Sequence, residues 1–411
     1  MNDLSHAARI APEILNAIAD EVGTPAYIYD LRALEAGIGR WVQAVGDPAR
    51  ISFAAKANTN LAVLAVLERS GVGIEVATPG ELARARAAGF PESRIVFGGV
   101  PKSEAAVREG IEAGVGMVVL QSGQEVEAAI RHAGSCPHGP LVVGLRVRPG
   151  IRAGAHPSLE TGRADAKFGF APERIPELWA RLASADGIDP RTLAFHLGSG
   201  LEAVDPYEEA VELMLSLVDA LADTSTPVAE LDVGGGLGVD YGSDRDPDPA
   251  MLVEALEARI RGIPIDLRFE PGRSVVARAG VLLTRVLYRR ERNGRPALVC
   301  DAGYTDFARN ALYGAEHAIV PVDGELLGEP IVEVLGPTCE SGDVLGTNRR
   351  LQAVEPGDLL LLRDAGAYGF VMASNYNSRP RPPELLVDGA EWQVVRPRER
   401  LEDLWRGEVI P

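Results

Sequence analysis

Eight short apolar runs, most of them followed by a helix-length segment, constrain this chain more than any other feature. They are ISFAAK (51–56), GIEVAT (73–78), RIVFGG (94–99), GMVVLQ (116–121), LVVGLRV (141–147), LAFHLG (193–198), ELDVGG (230–235) and DLRFEPG (266–272). Strands this short and apolar suit a parallel sheet covered on both faces. The first four begin at residues 51, 73, 94 and 116, the spacing of a compact strand–loop–helix–loop unit. Between them, NLAVLAVLERSG, GELARARAAGF and EAAVREGIEAG repeat apolar residues every three or four positions and close near a glycine, as amphipathic helices do. Eight such units close into a (β/α)8 TIM-like barrel, with chemistry expected at the C-terminal strand ends. The rival is an open doubly wound sheet. Against it, GGGLG (234–238) lacks the G-x-G-x-x-G spacing and follows the seventh run, whereas a dinucleotide turn usually follows the first.

The pattern changes after Arg273. VLLTRVLYRRE, RPALVCDAG, PIVEVLGPTC, LQAVEPGDLLLLRDAGAY and ELLVDGAEWQVVRPRE alternate β-rich runs with turn residues and hold little helix. We therefore expect a barrel over 26–275 and a C-terminal all-β domain over 276–411, joined by part of 1–25. The long stretch 148–192, rich in Gly, Pro and His, reads as an extended active-site loop.

Charge narrows the partners. With 41 Lys+Arg against 59 Asp+Glu, the net charge of −18 repels nucleic acid and anionic lipid. A small anionic substrate stays possible where arginines cluster. Three cysteines, Cys136, Cys300 and Cys339, have neither CxxC spacing nor a histidine cluster, so neither a metal site nor a disulfide framework is expected. The acidic start has no signal-peptide pattern and no apolar stretch approaches a membrane span; the expected location is cytoplasmic.

Four strand ends carry unusual residues. Lys56 ends the first run, where a desolvated ammonium is costly unless its charge is lost to an aldehyde or paired. His196 ends the sixth, in FHLGSG with Ser199, and offers a flat ring to stack on a pyridine. Gly234, Gly235 and Gly236 end the seventh, where backbone N–H groups can converge on a phosphate. Glu270 ends the eighth, placed to keep a pyridine nitrogen protonated, with Gly272 and the planar fork of Arg273 following. Each has an ordinary reading: a solvent-reaching lysine, a core histidine, a tight turn, a Glu-Pro-Gly turn before a surface arginine. Their joint placement on four strand ends favours the functional one.

These motifs resemble those of fold-type III pyridoxal-phosphate decarboxylases. AAKAN around Lys56, HLGSG around His196, DVGGGLG (232–238) and EPGR (270–273) are common to that group. DAGYTDFARNALYGAEH (301–317), GPTCESGDVLG (336–346) and AGAYGFVMASNYNSRPRPPELLVDG (365–389) resemble the diaminopimelate decarboxylases more narrowly. The resemblance runs from TPAYIYD (24–30) to the C-terminal strands. It implies pyridoxal 5'-phosphate on Lys56, with His196, Ser199, Gly235, Gly236, Glu270, Gly272, Arg273 and Tyr368 around it. It implies substrate contacts from Arg273, Arg309, Tyr313, Glu340 and Tyr368, and proton donation from Cys339. It further implies a homodimer in which Cys339 and Glu340 reach the partner's site. Thr59, Thr78-Pro79-Gly80 and Asn310 depart from the usual pattern without removing a chemical group the reaction needs. Decarboxylation of meso-2,6-diaminopimelate to L-lysine is the expected activity. The alternatives are a paralogous decarboxylase of ornithine, lysine, arginine or a carrier-tethered amino acid, a racemase, or a non-catalytic cofactor-binding protein.

Overall fold

The computed structural model describes residues 7–99, 101–153, 161–241, 246–292, 294–329 and 331–411. They form two compact units. One comprises Ile38–Val239 and Asp246–Ser274; the other comprises the described parts of Met1–Gly37, Asp240–Arg245 and Val275–Pro411.

The chain opens with helix α1 (Pro12–Glu21), strand β1 (Ala26–Asp30) and helix α2 (Leu31–Val45). Eight strands follow: β2 (Ser52–Ala54), β3 (Gly73–Val76), β4 (Ile95–Phe97), β5 (Met117–Leu120), β6 (Leu141–Arg146), β7 (Ile188–Ala194), β8 (Glu230–Asp232) and β9 (Asp266–Arg268). They pair in sequence order, all parallel. A parallel bridge between Ile51 and Phe269 joins the two ends, with Ser52 N–H donating to Phe269 O at 2.8 Å. The (β/α)8 barrel expected from the spacing is present.

Helices α3 (Leu61–Arg69), α4 (Pro79–Ala87), α5 (Glu104–Ala113) and α6 (Gly123–His132) lie between the early strands. Side chains cap their starts: Asn60 accepts from Ala62 N–H, Thr78 from Glu81 N–H, Ser103 from Ala106 N–H and Ser122 from Glu125 N–H. Gly71, Gly89 and Gly114, just past three of these helices, take φ of 85°, 96° and 73°. Inside the barrel, Val96, Met117, Val119 and Ala194 pack with Val142. Each fully buried side chain of valine or methionine size contributes about 1.5–3 kcal/mol. Trp179, on α7 (Ile175–Ala183), is buried with its indole N–H donating to Thr226 O at 2.7 Å.

Three details differ from expectation. The strands are shorter than the apolar runs, because residues after them turn into loops at the barrel mouth; Gly99, Gly198, Gly234 and Gly236 there have positive φ. Strand β7 starts five residues before its run, since Asp189 and Pro190 read as a turn yet sit in the ladder beside a register shift at Val143/Gly144. The stretch 148–192 contains α7 and two isolated bridges, Val147–Phe170 and Gly150–Arg163, so it is not one open loop; its residues 154–160 lie outside the described residues.

The second unit holds a nine-stranded sheet, to which β10 (Gly280–Arg292), β11 (Arg295–Cys300), β12 (Ile319–Pro321), β13 (Val332–Leu335), β14 (Val344–Arg349), β15 (Leu359–Leu362), β16 (Glu384–Asp388) and β17 (Glu391–Arg396) contribute. The expected barrel start at residue 26 is corrected here. Strand β1 pairs antiparallel with β10 and parallel with β16, inside this sheet. AYIYD is buried along its whole length. Such a run has no alternation to mark which sheet it joins. Leu15, Ile18, Ile28, Val281, Leu283, Leu359, Leu385 and Val387 form its core.

Candidate active site

In the barrel unit, Lys56 sits not on β2 but in the following single turn of 3-10 helix, Ala55–Ala57. That turn lifts the side chain out of the barrel wall, leaving it 40% exposed, with Nζ 3.7 Å from Glu75 Oε2. Glu75, on β3, is buried and its Oε2 has no hydrogen-bond partner among the described residues. A buried carboxylate oxygen left unbonded is costly and marks a place built for something further.

His196 lies two residues beyond β7. Its Nδ1 accepts the Gly235 N–H at 3.3 Å, which puts the proton of a neutral ring on Nε2. Burial, then the charges of Lys56 and Arg146, hold its pKa well below the usual histidine value, so the ring is neutral at pH 7.

The glycine triplet has no room for side chains. A Cβ on Gly235 would lie 2.2 Å from Glu270 O, and one on Gly234, at φ 69°, would lie 2.7 Å from both Phe195 O and His196 Nδ1. Gly234 N–H donates to Asp232 Oδ1 at 2.9 Å and Gly235 N–H to His196. Two of the three N–H groups are thus spent inside the chain. The third, on Gly236, has no partner among the described residues.

Glu270 follows β9 and forms a carboxyl pair with Asp232, the last residue of β8. Burial, then Asp232 and Glu75, push Glu270 well above the ordinary carboxyl range against the pull of Lys56. Asp232 is pushed up to about 7, by burial first. Arg146, ending β6, is the cation facing these acids: burial lowers its pKa while Glu270, Glu75 and Asp232 support its charge. Arg273 is buried, and its Nε and Nη2 donate to Ser199 Oγ at 3.2 and 2.9 Å. Gly272 lies against Ala54 and Ala57, flanking the Lys56 turn.

The barrel therefore gathers Lys56, His196, Ser199, Gly235, Gly236, Glu270, Gly272 and Arg273 from four strand ends, as their motifs suggest. It adds Glu75, Asp232 and Arg146, which the motif reading missed. Their signal was the one that exposed Lys56: a charged residue inside an apolar strand run.

The second unit places its residues in two groups. Arg309 opens the short helix Arg309–Tyr313 and is buried. Its Nη1 donates to Tyr241 Oη at 2.8 Å and to His317 Nε2 at 2.9 Å. His317 Nδ1 in turn donates to Arg363 O at 2.9 Å, fixing the neutral tautomer. Tyr313, one helical turn from Arg309, is half-buried. Tyr368 is half-buried in a backbone turn at φ 56°. The other group is exposed: Cys339 and Glu340, met by Tyr376 and Asn377. Cys339 is exposed, so it is not a small side chain filling the core. Tyr376, Asn377, Tyr241 and His317 were not singled out from sequence, since each is an ordinary loop residue until its neighbours are known.

The barrel residues suit an aromatic aldehyde phosphate. They supply an amine beside a buried anion, a neutral flat imidazole, a proton-bearing carboxyl, and an arginine with a free glycine N–H. Among the described residues, no helix is long and apolar enough to cross a membrane.

The family of pyridoxal-dependent decarboxylases, through its pyridoxal binding domain, matches residues 31–277. A diaminopimelate decarboxylase of Pseudomonas aeruginosa is 41% identical over 397 residues, 96% of this chain and 95% of that protein. One of Vibrio cholerae is 38% identical, covering 96% and 94%. The crystal structure of diaminopimelate decarboxylase from Helicobacter pylori complexed with L-lysine superposes with a TM-score of 0.90 at 32% identity, covering 95% of this chain and 98% of that one.

Proposed function

This chain belongs to the pyridoxal-dependent decarboxylases, in the diaminopimelate decarboxylase family, and from that premise we propose that it converts meso-2,6-diaminopimelate to L-lysine and CO2. The observation that carries the substrate is the 41% identity running through both units, since the barrel motifs alone are shared by decarboxylases of several amino acids.

Lys56 Nζ is the attachment point for pyridoxal 5'-phosphate, beside Glu75. When bound, the cofactor supplies a protonated pyridine ring as the sink for the electron pair released with CO2. Glu270 holds a proton for the ring nitrogen, a task suited to a carboxyl whose pKa is raised by burial and by Asp232. Neutral His196 would offer its ring to the cofactor without competing for that charge. Arg273, Ser199 and the Gly236 N–H bind the phosphate, with Gly235 and Gly272 keeping the backbone close and Tyr368 adding its hydroxyl.

Arg309 binds the substrate's distal carboxylate. Its fork is already held by Tyr241 and His317, so little side-chain entropy is lost on binding. Glu340 binds the distal ammonium, and Arg273, Tyr313 and Tyr368 make the remaining substrate contacts. Cys339 delivers a proton from Sγ to the α-carbon after CO2 leaves. The enzyme works as a homodimer in which Cys339 and Glu340 serve the partner's substrate.

The test is CO2 release by the cofactor-loaded enzyme from meso-diaminopimelate, lysine, ornithine and arginine, each alone. Strong preference for diaminopimelate, with lysine formed in equal amount, is expected. Activity confined to another amino acid would move the substrate and leave the barrel roles intact.

A further inference from the structure

Cys339 does not face solvent alone. Tyr376 Oη lies 3.4 Å from its Sγ, and the same hydroxyl donates to Glu340 Oε1 at 2.8 Å. On the other side, Asn377 Oδ1 accepts the Cys339 N–H at 3.3 Å and its Nδ2 lies 3.3 Å from Sγ. Asn377 and Ser378 hold φ of 56° and 51°, in the left-handed region that costs a non-glycine residue. Two successive residues in that conformation fix the turn carrying Tyr376. The ring of Tyr304 packs on Tyr376 at 5.7 Å between centroids, and Asp343 anchors it by accepting the Tyr304 N–H at 2.7 Å.

A hydroxyl has one proton to give. The Glu340 carboxylate can only accept, so while it takes the Tyr376 proton the tyrosine oxygen can receive the S–H of a neutral thiol. Once Cys339 is a thiolate, it and Glu340 compete for the same O–H.

We propose that Tyr376 is a positioning residue that ties the proton on Cys339 to what occupies Glu340. A primary ammonium at Glu340 takes over that carboxylate and frees the Tyr376 O–H for Sγ. The proposal rests on reading Cys339 as the proton donor and Glu340 as the ammonium site. In the transfer, the S–H bond breaks as a C–H bond forms at the α-carbon, and sulfur keeps the electron pair. The Tyr376 O–H turns from Oε1 to Sγ without leaving its oxygen, and water returns a proton to sulfur before the next cycle. A thiol is thus a stronger acid when substrate is bound than when Glu340 is bare. Contact with Tyr376, then with Asn377, lowers the Cys339 pKa against burial and the opposing charge of Glu340. Tyr304 and Asp343 also face this cluster, and Tyr288, Arg290 and Arg292 line a cavity that they share with Glu340.

The experiment follows iodoacetamide alkylation of the Cys339 peptide in the holoenzyme against pH, with and without L-lysine, in wild type, Tyr376→Phe and Glu340→Gln. Lysine is expected to lower the midpoint in wild type. Tyr376→Phe should raise the midpoint and erase the response to lysine, with cofactor absorbance and thermal midpoint kept. Its kcat should fall on the order of 10-fold with KM little changed. Glu340→Gln, which replaces the competing carboxylate with a weaker, uncharged amide acceptor, should lower the midpoint without lysine, and it covers the case of a misfolded Tyr376→Phe. An unmoved midpoint in Tyr376→Phe, with the lysine response intact, overturns the proposal. Cys339→Ala separates the two ideas. Full decarboxylation by that variant would sink the proton-donor reading itself, whereas loss in Cys339→Ala beside an unaffected Tyr376→Phe would sink only the role of Tyr376.

Discussion

Around the half-exposed Lys56 the barrel collects three acids, Glu75, Asp232 and Glu270, and the buried cation Arg146. Burial and mutual repulsion raise the pKa of Glu270 and of Asp232, so this pair keeps a proton at a pH where an exposed acid has none. Lys56→Ala should therefore abolish both turnover and the visible absorbance of lysine-bound cofactor; retained turnover would show that another amine carries it. Asp232 gives a pH prediction with a definite sign. Its folded pKa, about 7, lies above its unfolded value, so the stability it contributes is complete below that unfolded value. That contribution is lost as pH rises through about 7. Asp232→Asn should flatten the decline of the thermal midpoint between about pH 4 and neutrality, while the wild type keeps its slope. Lys56, His196 and Glu270 could be found from sequence because each stands in a motif at a strand end. Glu75 and Arg146 were harder, since inside a β-run nothing in the sequence says which face a side chain takes or what lies opposite.

At the level of elements, the connection after β4 is tied to the start of α6 by a buried ion pair. Lys102 Nζ lies 3.0 Å from Glu125 Oε2, both side chains 1% exposed, and also donates to Val119 O at 2.8 Å. Glu125 accepts the N–H groups of Lys102 and Gln121 as well, so its charge is held on several sides. Lys102→Met should cost about 3–5 kcal/mol, because the carboxylate is left buried without its counter-charge. Urea unfolding of that variant and of Lys102→Met with Glu125→Leu checks this: the double variant should recover much of the loss. The barrel was legible because short strands, helical periodicity and terminal glycines repeat at one interval, each local signal agreeing with the next. Two elements escaped. The run Ile188–Arg191 carries Asp and Pro, which speak for a turn until the neighbouring ladder is seen. The run Ala26–Asp30 is a strand either way, and only partners far along the chain decide its sheet.

For the whole molecule, the proposed shared-site homodimer makes a sharp prediction. Lys56→Ala and Cys339→Ala are each expected to be nearly inactive alone, but one site in every mixed dimer has both groups intact. Dissociating and reassembling an equal mixture should restore about a quarter of wild-type activity, since half of the dimers are mixed and each has one good site of two. No recovery, in a species shown to be dimeric by light scattering, would place Cys339 in its own subunit's reaction. A different consequence follows from where β1 lies, between β10 and β16. The ribosome makes β1 near the start, but its neighbours emerge only after residues 280 and 384. By then every strand of the parallel barrel has been synthesised, while a strand that the fold buries along its whole length still waits with both edges open. Release before residue 384 would leave one of those edges bare, the kind of surface that recruits chaperones or nucleates aggregates. A strand made long after β1 thus decides whether β1 can be safely folded away.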